Sequence, residues 1–117
     1  MKLPDKIRVF GSDFSVHLVT QADLRGRNPK DPEITLCGDM CITERKIRIL
    51  KTLNDEMKLS TLVHECLHAI WGLTGQNERL EMEHEESLTV AGEYGIMSML
   101  PTLCKVLAST GDGFGNN

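Results

Sequence analysis

The stretch LVHECLHAIW, Leu62 to Trp71, places two histidines four residues apart with a glutamate directly after the first. It lies inside an apolar series, Leu59, Leu62, Val63, Cys66, Leu67, Ile70 and Leu73, whose spacing predicts an amphipathic helix. A helix turns once in about 3.6 residues, so His64 and His68 stack on one face. At 100° per residue the apolar stripe covers roughly 0–140° from Leu62, and the histidines fall at roughly 200° and 240°. That face meets something other than the main core. Neutral imidazoles at i and i+4 can reach one Zn²⁺, and a glutamate between them can touch metal-bound water without ligating the ion. The spacing therefore points to a zinc site with His64 and His68 as ligands and Glu65 as a base. The bland alternative is two unrelated histidines, one solvated and one bonded to a backbone carbonyl.

The rest of the chain sets the frame around this helix. KIRVFGSDFSVHLV, residues 6–19, alternates apolar and polar residues about Gly-Ser-Asp and predicts a hairpin, with His17 on the solvent side. Residues 20–33, polar with one Gly and two Pro, predict a loop. ITLCGDMCI and KIRIL are two further β-prone runs, giving a small, mostly antiparallel sheet closed by Asn54 and Asp55. Ser60 or Asp55 is expected to cap the motif helix, and Gly72 and Gly75 to end it. A second helix is expected from about residue 79 or 83 to Leu100, stopped by Pro101, with a short third helix over 101–109. The fold class is α+β: one domain over residues 1–109 and a disordered tail, GDGFGNN, filling residues 110–117.

The 117 residues suit one domain, and a formal net charge of −4 argues against nucleic-acid binding. No apolar run is long enough for a secretory signal or a membrane span. The expected setting is cytoplasmic, with Cys37, Cys41, Cys66 and Cys104 reduced. Cys37 and Cys41, in CGDMC, make half a zinc site at most and read as ordinary hairpin residues, while Cys66 falls on the apolar helix face.

Two histidines from one helix hold zinc weakly, and catalytic sites usually have three protein ligands. The second helix offers Glu83, His84, Glu85, Glu86 and Glu93. On a helix wheel Glu86 heads a row with Met82, Val90, Met97 and Leu100, but His84 falls on a partly apolar row with Leu88, Ala91 and Gly95, so the wheel leaves both open. Glu85 falls on a side that reads as solvated. The spacing from the motif and the small and apolar residues that follow favour Glu86, with His84 and then the other glutamates as alternatives; Glu93, along the same face, is a candidate to orient a histidine ligand, or else an exposed helix charge.

HECLH followed after seventeen residues by Glu86 resembles the gluzincin metallopeptidases, whose third ligand is a glutamate on the helix after the motif helix. The wider layout, IRVFGSDFSV, KIRIL, TLVHECLHAI and EESLTVAGEYGIMSML, also resembles the small zinc metallopeptidases of phage and prophage type. It is similar in style to the metallopeptidase domains of mobile elements that act on phage-type repressors. The resemblance spans residues 6–100, with only the motif helix highly specific. It implies a minimal zincin-like fold, a zinc cofactor, a peptide or protein substrate with no nucleic acid or membrane, and the host cytoplasm for a phage-encoded chain. By analogy with zincins, KIRIL would form the edge of the cleft. Metzincins are excluded, because their required Gly and third His fall on Trp71 and Thr74. His84 followed by Glu85 fits Spartan-type proteases poorly. The second histidine that stabilises an oxyanion in thermolysin-like enzymes is missing, leaving Tyr94 as a candidate with a buried structural role as its alternative. Two other functions stand beside peptidase: a zinc-binding interaction or regulatory protein without proteolysis, and another zinc hydrolase on the same fold. Glu65 disfavours both the structural site and the three-histidine endoribonucleases.

Overall fold

The computed structural model describes residues 2–27 and 36–109. The chain is α+β: a four-stranded sheet followed by two long helices. Strands β1 (Lys6–Val9) and β2 (Ser12–Val19) form the expected hairpin. The turn sits at Phe10 and Gly11, both at positive φ, one step earlier than Gly-Ser-Asp suggests. His17 is exposed, as expected.

Strand β3 (Gly38–Cys41) pairs antiparallel with β4 (Lys46–Leu50), and β4 pairs parallel with β2, so the sheet order is β1-β2-β4-β3. Two of its three pairings are antiparallel. KIRIL is therefore an interior strand, which corrects the expectation that it edges the cleft; β3 takes that place. The reason lies in β4 itself, where Ile47, Ile49 and Leu50 are all buried and both backbone edges are paired.

The stretch expected to be a loop holds helix α1 (Gln21–Arg27). Thr20 and Asp23 cap it reciprocally: Thr20 Oγ1 accepts from the Asp23 N–H at 3.3 Å, and Asp23 Oδ2 accepts from the Thr20 N–H at 3.0 Å. Its Leu24 is fully buried.

Helix α2 (Asp55–Leu73) carries the motif. Its cap is Asn54, whose side chain accepts from the Met57 N–H at 2.8 Å. The core joins Val9, Phe14, Ile47 and Ile49 of the sheet to Leu62 and Ala69 of α2, with Cys66 packed against it as the apolar stripe predicts. Two glycines permit close approach. A Cβ on Gly38 would lie 2.5 Å from the Arg48 carbonyl oxygen and 2.8 Å from Thr61 Cγ2, and one on Gly72 would lie 2.9 Å from Ile42 Cδ1. They let β3 lie tightly against β4 and α2.

After a short 3₁₀ turn (Gln76–Glu78), helix α3 runs unbroken from Met82 to Ser109. The expected stop at Pro101 and the separate third helix are both corrected. Proline costs an interior helix one hydrogen bond, but Pro101 is exposed, where solvent can satisfy the freed carbonyl. The tail over residues 110–117 lies outside the described residues. Among the described residues, no helix is long and apolar enough to cross a membrane.

Candidate metal centre

The two long helices meet over the histidines. Gly92 of α3 sits against Leu67 of α2, where a Cβ would lie 3.0 Å from Leu67 Cδ1. One turn away the indole N–H of Trp71 donates to Thr89 Oγ1 at 3.0 Å, and Thr89 is fully buried. This contact puts three carboxylates of α3 against one face of α2. Glu86 Oε1 lies 3.1 Å from His64 Nε2, and Glu86 Oε2 lies 3.1 Å from His68 Nε2. On the far side of each ring, His64 Nδ1 lies 2.7 Å from Glu93 Oε1 and His68 Nδ1 lies 3.3 Å from Glu85 Oε1. Glu93 is itself held by the Ser60 hydroxyl, which donates to its other oxygen.

These contacts bear on whether a metal fits. Each imidazole thus has a carboxylate oxygen at both ring nitrogens, Glu93 or Glu85 at Nδ1 and Glu86 at Nε2. With the proton on Nδ1, each Nε2 would have a lone pair to offer a cation beside the Glu86 carboxylate. The ligand atoms of His64, His68 and Glu86 all lie within 4.8 Å of one another. Ligands about 2.05 Å from a tetrahedral ion sit roughly 3.3 Å apart; the two 3.1 Å contacts, made to different oxygens of Glu86, are of that order. The donor set, two imidazole nitrogens and one carboxylate, would suit a borderline-soft divalent ion such as Zn²⁺.

Glu65 lies beside the cluster on the same helix and is 7% exposed. Burial pushes its carboxyl up to about 7, opposed by His64 and His68 and reinforced by Asp39 and Glu86. It lines both arms of a cleft. One arm, about 280 Å³, is walled by Leu36, Cys37, Met57 and Thr61; the other, about 660 Å³, by Met40, Ile42, Asn77 and Met82. Gly38 of β3 borders both.

Of the residues singled out in the sequence, His64, Glu65, His68 and Glu86 come together. His84 is exposed on α3, outside this cluster. Glu93 lies against His64 Nδ1. Glu85 departs from expectation: its side chain is four-fifths buried against His68. Tyr94 is 70% exposed and lines neither arm, so it fills neither role considered for it. Cys37 and Cys41, half-buried and unbridged, stand four residues apart along an extended segment, roughly 13 Å, too far for a disulfide. Ser60 was overlooked as more than a helix cap; its signal was the i, i+4 spacing to His64.

No protein family matches the chain, and no curated protein or solved structure matches it.

Proposed function

We propose that this chain is a zinc-dependent metallopeptidase of minimal zincin-like fold, with His64, His68 and Glu86 as ligands and Glu65 as general base. The observation that carries the reading is the convergence of both Nε2 atoms on Glu86, with a carboxylate behind each ring and Glu65 buried alongside. A merely structural zinc would have no use for that buried carboxylate.

When bound, Zn²⁺ acidifies a water and polarises a substrate carbonyl. Glu65 accepts a proton from the attacking water and returns it to the departing amine as the peptide bond breaks. Glu93 and Glu85 hold the two imidazoles in register through their Nδ1 atoms.

The β3 edge supports an extended peptide as substrate. The Leu50 N–H donates to the Cys37 carbonyl at 2.8 Å. Antiparallel alternation then turns Asp39 and Cys41 toward β4 and leaves the backbone N–H and C=O of Gly38 and Met40 facing outward. Among the described residues no strand pairs with that edge. A substrate strand laid there would pass over Glu65.

The test is zinc content and proteolysis of purified wild-type and Glu65→Gln protein, with a mixed peptide library as substrate. Stoichiometric zinc in both, with zinc-dependent cleavage in wild type alone, is expected. Zinc in both and cleavage in neither would leave a zinc-binding protein; absence of zinc from both would remove the site.

A further inference from the structure

Helix α3 is the longest element, 28 residues, yet Thr89 is its one buried residue. Among the described residues, no apolar side chain of α3 belongs to the core or is packed against it. The core closes between the sheet and α2. What holds α3 is a short seam to α2: Trp71 on Thr89, Leu67 over Gly92, and the three carboxylates at the histidines. Further along, the seam is open. Leu59, Leu62 and Val63 of α2 and Ile96 and Leu100 of α3 line an apolar groove of about 260 Å³ that is open to solvent. A groove open to solvent forgoes part of the apolar contact that normally holds two helices together.

The upper seam also carries an electrostatic cost. Glu85, Glu86 and Glu93 are brought to the same side of α2, beside Glu65. Crowded carboxylates repel one another. A divalent cation supplies the missing charge and ties His64 and His68 of α2 to Glu86 of α3. The link between the helices can absorb a rotation: Gly75 has φ 76°, and only a single 3₁₀ turn precedes α3.

We propose that the metal fastens α3. With zinc bound, α3 lies on α2 and the site is complete; without it, α3 swings off while the sheet and α2 keep their core. The inference rests on the metal-site reading above. It makes assembly of the third ligand and both orienting carboxylates a consequence of metal uptake.

Trp71 is the chain's single tryptophan and sits at the seam, so its emission reports docking. The experiment compares full-length protein in EDTA and with one equivalent of Zn²⁺, by Trp71 fluorescence and amide hydrogen exchange, with bound zinc measured in parallel. Zinc is expected to shift the emission to the blue and to slow exchange over residues 82–98 at least about tenfold, leaving the Ile47 and Ile49 amides unchanged. Glu86→Gln, retaining both histidines, should bind zinc more weakly and leave α3 exchanging fast. Zinc bound with no change in Trp71 emission or α3 exchange overturns the fastening while keeping the metal site. Loss of Ile47 and Ile49 protection in EDTA also overturns it, because the core would then depend on the metal too. No binding of zinc at all removes both readings.

Discussion

Glu93 Oε1 lies 2.7 Å from His64 Nδ1, on the side of the ring away from Glu86. The carboxylate is anchored at both oxygens, since Ser60 donates to the other. It therefore restrains the orientation of the imidazole. Glu93→Gln keeps the shape and removes the charge, and zinc affinity should fall roughly 10–100-fold. Competition with a chelating dye measures it. An affinity equal to wild type would reduce Glu93 to a surface charge.

Glu86 and His84 are two residues apart on α3, but only Glu86 reaches the histidines. Glu86→Ala should weaken zinc binding by more than about 100-fold, beyond the usual effect of an orienting group. His84→Ala should leave it unchanged. The reverse ranking in titration calorimetry would make the site a three-histidine one.

Glu65 touches no proposed ligand atom's place and should be dispensable for the metal. Glu65→Gln is expected to bind zinc as wild type does, to keep its circular dichroism spectrum, and to lose hydrolysis by at least about 100-fold, the low end of general-base contributions. Retained turnover would assign the proton transfer elsewhere.

Gly92 sets the spacing between the helices that carry the site. Gly92→Ala gains about 1 kcal/mol of helix propensity and presses its methyl on a flexible leucine end, so stability should change little. Gly92→Val overfills the contact, at a cost of about 1–3 kcal/mol. Zinc affinity should drop with it, as Glu86 and Glu93 are pushed off the histidines. Thermal melts and zinc titration of the two variants, run together, separate propensity from spacing.

How far the chain could be read in advance differs by element. The motif helix was legible because one periodicity spans it and its polar face carries an unusual pair. The hairpin was legible from alternation. The parallel pairing of β2 with β4 was not, because strand order across a crossover leaves no local trace in either strand. Helix α1 was hidden by its polar composition, though Thr20 and Asp23 carried the cap signal. Pro101 misled because the rule against helical proline weakens at an exposed position. The wheel left Glu86 and His84 open, because both rows are partly apolar; of the two, the fold brings only Glu86 to the histidines. Glu85 was not, since the neighbouring face of α3 turns inward only where Gly92 and Thr89 let α2 approach.

The groups proposed for the chemistry, from Ser60 to Glu93, all sit on one helix–turn–helix, whereas β3 contributes to the cleft wall and the open backbone edge. On the proposed function, the chemistry and the open edge that would receive a substrate strand thus fall in separate stretches of sequence. Substitutions along Leu36–Ile42 that respect Gly38 would then alter the peptide chosen while leaving the proposed ligands in place. A lineage carrying this fold would change targets by altering one short strand while its helix–turn–helix stays as it is.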